Sequence, residues 1–137
     1  MPTNRIDAIL TDEQRDQFTA ALAAMTGALP FLLDLSPKER KESVKFGEKN
    51  RSFVAKGLVV AEGHPEILPA SFNLVTFRHD VDLIERLYPL LSALEALYGK
   101  LQDTYFAAGS DAYAAALTVY HLTTSSTMKP LAPWKMP

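Results

Sequence analysis

The chain has 137 residues, 47% of them hydrophobic and 22% charged, a balance that fits one soluble globular domain and is too short for two ordinary ones. It contains no cysteine, which excludes a disulfide framework, thiolate zinc sites, iron–sulfur clusters and a cysteine nucleophile. Fourteen Lys and Arg against sixteen Asp and Glu give a net charge of -2, which speaks against a generic nucleic-acid binder.

The opening, Met1 to Asp7, has no basic region followed by a long apolar run, so it does not read as a secretory signal. Two stretches of 17 residues lack Asp, Glu, Lys and Arg: 17–33 and 112–128. Both are short and polar for a membrane span, which wants about 20 mostly apolar residues, so they are read as buried helices. The expected setting is cytoplasmic, with no membrane partner.

Thr11-Asp12-Glu13-Gln14 is a capping box and opens the first expected helix. Phe18, Leu22, Met25 and Leu29 follow at steps of four, three and four, one apolar stripe, until Gly27 and Pro30 end it. Phe31 to Leu35 is too apolar for a free loop and reads as a connection tucked into the core. Ser36-Pro37-Lys38-Glu39 is a second capping box, with proline where its missing N–H does no harm. It predicts a short helix to about Phe46. A further helix is expected from about Glu48, with Phe53, Val54, Leu58 and Ala61 inward, stopped by Gly63 and Pro65. His64 to Phe72 reads as a loop.

Asn73 is the next cap. Phe77, Val81, Ile84, Tyr88, Leu91, Leu94, Tyr98, Leu101 and Tyr105 then step by four or three, predicting a long helix over 74–107 with Ile84 and Leu91 on its central seam. Arg78, Asp82 and Arg86 are spaced to pair on its outer face. Pro89 predicts a kink. Gly109-Ser110 reads as a stop and restart, followed by a last alanine-rich helix over about 111–123. The fold class expected is all-α: an antiparallel bundle of four to five helices in one domain, 1–124, with a mobile proline-rich tail over 125–137.

Leu29-Pro30-Phe31-Leu32-Leu33-Asp34-Leu35-Ser36-Pro37-Lys38-Glu39-Arg40 resembles the opening of a family of small helical bacterial proteins without an established function. So do Gly47-Glu48-Lys49 with Arg51-Ser52-Phe53-Val54, the Leu68-Pro69 loop, Asp103-Thr104-Tyr105 running into Ala108-Gly109-Ser110, and the closing 112–120 segment. The likeness spans about 29–122. It implies a compact helical domain and carries over no activity or catalytic residue. The proline-rich end after Thr123 departs from the longer helical end of that family.

The chemistry is sparse. His79, Asp82 and Glu85 share one helical row but lie off the apolar seam, which makes a solvated face of them rather than a metal site. There is no Glu-x-x-His for a di-iron bundle, no Gly-x-Ser-x-Gly elbow and no phosphate-binding glycine motif. No cofactor or metal is expected, and the reading leans away from an enzyme. Two sets of residues stand as candidate contacts. Asp103, Tyr105, Tyr113, Tyr120 and His121 could share a pocket near the 103–121 helix junction and make the chain a small-ligand-binding module or a small enzyme, although tyrosines at this spacing commonly serve as core. From Lys38 to Lys56 the net charge is +4, leaving -6 for the rest, so Lys38, Arg40, Lys41, Lys45, Lys49 and Arg51 could make a weak contact with an anion or a nucleic acid. The leading expectation is association with itself or a protein partner. A helix over 74–107 would run about 50 Å. A compact domain of this size is only about 37 Å across, so the helix either bends at Pro89 or projects and needs cover from a second copy.

Overall fold

The computed structural model describes residues 4–125 and 135–137, and among these it holds helices and no strand, as the all-α expectation required. The helices are α1 (Asp12–Ala28), α2 (Pro37–Glu42), α3 (Arg51–Gly63) and α4 (Leu74–Ser125), with 3-10 turns at Glu48–Asn50 and Pro65–Ile67.

The capping signals work as their chemistry dictates. Thr11 Oγ1 accepts from the Gln14 amide at 3.1 Å, and Gln14 Oε1 accepts from the Thr11 amide at 3.1 Å. Ser36 Oγ and the Glu39 carboxylate make the same reciprocal pair ahead of α2. Asn73 Oδ1 accepts from the Thr76 amide at 3.0 Å and opens α4. Each box satisfies N–H groups that a helix start leaves without partners.

Three sequence expectations are corrected. The predicted break at Gly109-Ser110 is absent: α4 is one helix of 52 residues, not a helix over 74–107 followed by another, so the α-helices among the described residues number four. An interior glycine costs a helix only about 1 kcal/mol. Here four alanines lie within five residues on either side of Gly109, and no proline lies there to enforce a stop. Second, 31–35 is not tucked away: Leu33 is 83% exposed and Phe31, Leu32 and Leu35 are exposed as well. Third, the helix after Ser36 ends at Glu42, short of Phe46. The tail expected over 125–137 falls on residues 126–134, outside the described ones, apart from Ser125 in α4 and the last three.

Contacts divide the chain into two compact units, Met1–Gln14 with Leu94–Pro137, and Arg15–Ala93. In the second unit, α3 and the first part of α4 run antiparallel. Position 62 meets 78 at one end and 51 meets 85 and 88 at the other, so one number falls as the other rises; between them a Cβ on Gly57 would touch the Phe77 ring. Ala61 and Val81 are the buried residues of this hairpin, at 4% and 7% exposure. Val54, Leu58, Phe77, Ile84, Leu87 and Tyr88 are half-buried around them. The inner row thus follows the predicted steps up to Tyr88, whereas Phe53, expected inside, is 76% exposed and Leu91 is 57% exposed. Asp82 pairs with Arg86 at 2.9 Å, while Arg78 turns instead to Glu62 on α3 at 2.7 Å. Pro89 lies inside α4, where it withholds the amide that would bond to the carbonyl of Glu85.

In the first unit, the chain start is fastened to α4. The amides of Arg5 and Ile6 donate to one carboxylate oxygen of Asp111, at 2.9 and 3.1 Å.

Candidate functional site

Two features stand out, one polar and one apolar. The polar one closes the α3–α4 hairpin. Tyr88 donates its hydroxyl to Glu48 Oε1 at 2.7 Å, joining α4 to the 3-10 turn that leads into α3. The turn itself is set by Asn50, whose side-chain oxygen accepts from the Gly47 amide at 2.8 Å. Arg51, the first residue of α3, lays its guanidinium carbon 3.5 Å from the centre of the Tyr88 ring, a cation–π contact. Its Nη2 reaches Glu85 at 3.5 Å, and its Nε is buried without a hydrogen-bond partner among the described residues.

The hydrogen bond to Glu48 raises the pKa of the Tyr88 phenol above its ordinary 10.0, and the negative charge of Glu48 raises it further. The positive charge of Arg51 and a hydrogen bond from Ser92 act in the opposite sense and do not cancel this. A phenol held in its neutral form is a hydrogen-bond donor and not a base or nucleophile. The cluster is a clasp between two helices. Sequence reasoning missed it because Glu48 and Tyr88 are 40 positions apart and no local pattern links them.

The clasp also fixes the fate of the basic segment. Arg51 faces Glu85 and Tyr88 rather than open solvent. Lys38, Arg40 and Lys41 lie on α2, Lys45 follows it, and Lys49 lies in the 3-10 turn; all five are exposed. Lys45 Nζ donates to the Arg40 carbonyl at 3.5 Å, and no ion pair is found for these five among the described residues.

The five residues expected to share a pocket are not gathered. Asp103, Tyr105, Tyr113, Tyr120 and His121 all stand on α4, and there is no junction to fold them together. Eighteen residues separate Asp103 from His121, about 27 Å along a helix. Tyr113 and Tyr120 border a small cleft with Ala116, Leu117 and the chain end 135–137, and Tyr105 and Tyr113 border an open one around Gly109. His121 stacks edge-on with Tyr120, ring centres 5.9 Å apart. His79, Asp82 and Glu85 are exposed, and no group of three metal-ligating side chains converges among the described residues. Nor is any described helix long and apolar enough to cross a membrane.

The apolar feature is larger. From Leu94 onward α4 carries Leu94, Tyr98, Leu101, Tyr105, Ala108, Ala112, Ala115, Val119 and Leu122 at alternating steps of four and three. Every one of the nine is exposed; Tyr105 reaches 82%. Asp111, which holds the chain start, and Tyr113, Leu117 and Tyr120, which meet the chain end, belong to other faces of the same helix. Compared with known proteins, the chain matches no family model, no curated sequence and no solved structure.

Proposed function

We propose that this protein works by association rather than catalysis, and that the surface it uses is the heptad row of α4 between Leu94 and Leu122, covered by a second copy of the chain. The observation that carries this is the row itself: nine apolar positions in coiled-coil spacing, all exposed, on one helix. Contiguous apolar surface of more than a few hundred Å² is rare on proteins that stay alone and marks an interaction site. Leucine and tyrosine left in water lose about 1.5–3 kcal/mol each relative to burial, which a partner helix recovers. A second copy is the simplest occupant, since two-fold homodimers are the commonest closed assembly.

Sedimentation equilibrium tests it. The expected result is a concentration-dependent rise from 15.1 kDa toward twice that mass. Replacing Leu101 and Tyr105 together by glutamate should return the chain to the monomer with its helical circular dichroism intact. A single 15.1 kDa species at high micromolar concentration overturns the proposal.

A further inference from the structure

We infer that the two copies pair antiparallel, with a two-fold axis that crosses α4 between Phe106 and Ala107. The inference rests on self-association through the heptad row and adds its direction and register. The row is lopsided. Its first half, Leu94, Tyr98, Leu101 and Tyr105, is bulky; its next three positions, Ala108, Ala112 and Ala115, are small; Val119 and Leu122 close it.

A two-fold axis at that point sets Tyr105 opposite Ala108 of the second copy, Leu101 opposite Ala112, Tyr98 opposite Ala115 and Leu94 opposite Val119. Symmetry repeats each pair on the other side of the axis. Each of these four layers then joins one large side chain to one small or medium one, so a single spacing between helix axes serves the stretch from Leu94 to Val119; Leu122 falls level with Leu91, beyond it. Alternating large and small residues across facing positions is how knobs find holes.

Parallel, in-register pairing fails on the same residues. Tyr98 and Tyr105 would each meet their own copies and demand a wide separation, while Ala108, Ala112 and Ala115 would demand a narrow one. Helix spacing is set by the side chains at the contact, about 8–10 Å, and cannot satisfy both ends of one straight interface. Charge gives the same answer. Across the proposed axis Glu95, Lys100, Asp103 and Asp111 lie level with Thr118, Tyr113, Ser110 and Gln102, all uncharged. In parallel pairing each charge would lie level with its own copy, and like-charge juxtaposition costs affinity.

The absence of cysteine from the chain makes the register directly testable. Leu101→Cys and Ala112→Cys are prepared as separate single variants, checked for native helicity, and oxidised mildly, each alone and then mixed. A disulfide needs Cα atoms within about 7 Å. In the proposed pair, residue 101 lies opposite 112 of the second copy, whereas 101 and its own copy are offset by eleven residues, about 16 Å. The mixture should therefore yield a covalent dimer containing one chain of each variant, and neither variant alone should cross-link. Cross-linking of Leu101→Cys with itself, or none in the mixture while sedimentation still shows a dimer, overturns the antiparallel register and leaves self-association standing. A monomer by sedimentation overturns both.

Discussion

Tyr88 and Arg51 show how much a few side chains fasten in the α3–α4 hairpin. The phenol and Glu48 form the hydrogen bond that ties α4 to the turn before α3, and Arg51 covers the ring. Because the folded state holds the Tyr88 proton more tightly than the unfolded chain does, the sign of the linkage follows. The clasp contributes its full stability below the unfolded value of 10.0 and loses it as pH rises through the higher folded value. Tyr88→Phe should lower the urea midpoint at neutral pH, and the gap between variant and parent should narrow steadily above about pH 10. No gap at neutral pH would show that the hydroxyl contributes nothing and only the ring matters, and a gap that stays constant into strong alkali would show that its contribution does not depend on the phenol proton. At this scale the sequence was legible where partners are three residues apart and opaque otherwise. Thr11 with Gln14, Ser36 with Glu39 and Asn73 with Thr76 are local geometry, fixed by helix starts. Arg51 reads from its neighbours as one more exposed cation, and only the fold reveals that Glu85 and Tyr88 lie beside it.

At the scale of elements, starts were easier to read than stops. A capping box is a positive requirement, whereas glycine merely lowers helix stability and stops a helix only when the following residues cannot continue it. Gly63 is followed by His64 and Pro65 and ends α3; Gly109 is followed by Ser110, Asp111 and an alanine run, and α4 continues. This difference has a measurable consequence. A Cβ built at Gly109 meets no atom within 4 Å, and the backbone there is ordinary helix. Gly109→Ala should therefore stabilise the protein by about 1 kcal/mol, seen as a higher midpoint in thermal or urea unfolding. Where a glycine ends a helix by turning left-handed, as Gly63 does not, alanine is strained, so a lowered midpoint at 109 would restore the break that the sequence suggested.

At the scale of the whole molecule, a periodic apolar row says which residues want cover and not which chain supplies it. That is why the row from Phe77 to Tyr105 reads as one continuous seam in the sequence and divides in the structure. Its earlier part, through Tyr88, lies against α3; Leu94, Tyr98, Leu101 and Tyr105 lie exposed. Composition misleads in the same way, since 47% hydrophobic residues suggest a large core, yet Ala61 and Val81 are the buried ones among the described residues. If a second copy completes the row in the antiparallel register, size complementarity at one layer can be inverted without loss. Leu101→Ala alone places alanine against alanine and opens a hole at two symmetric layers, a cost of about 2 kcal/mol or more per dimer and over tenfold in Kd. Ala112→Leu alone places leucine against leucine and forces the helices apart, at about 1–3 kcal/mol. The double variant Leu101→Ala, Ala112→Leu exchanges knob and hole within each layer. Its dimer constant, measured by sedimentation equilibrium, should return to within a few-fold of the parent because the two positions are coupled. Penalties that simply add in the double variant would show that 101 and 112 do not meet across the interface.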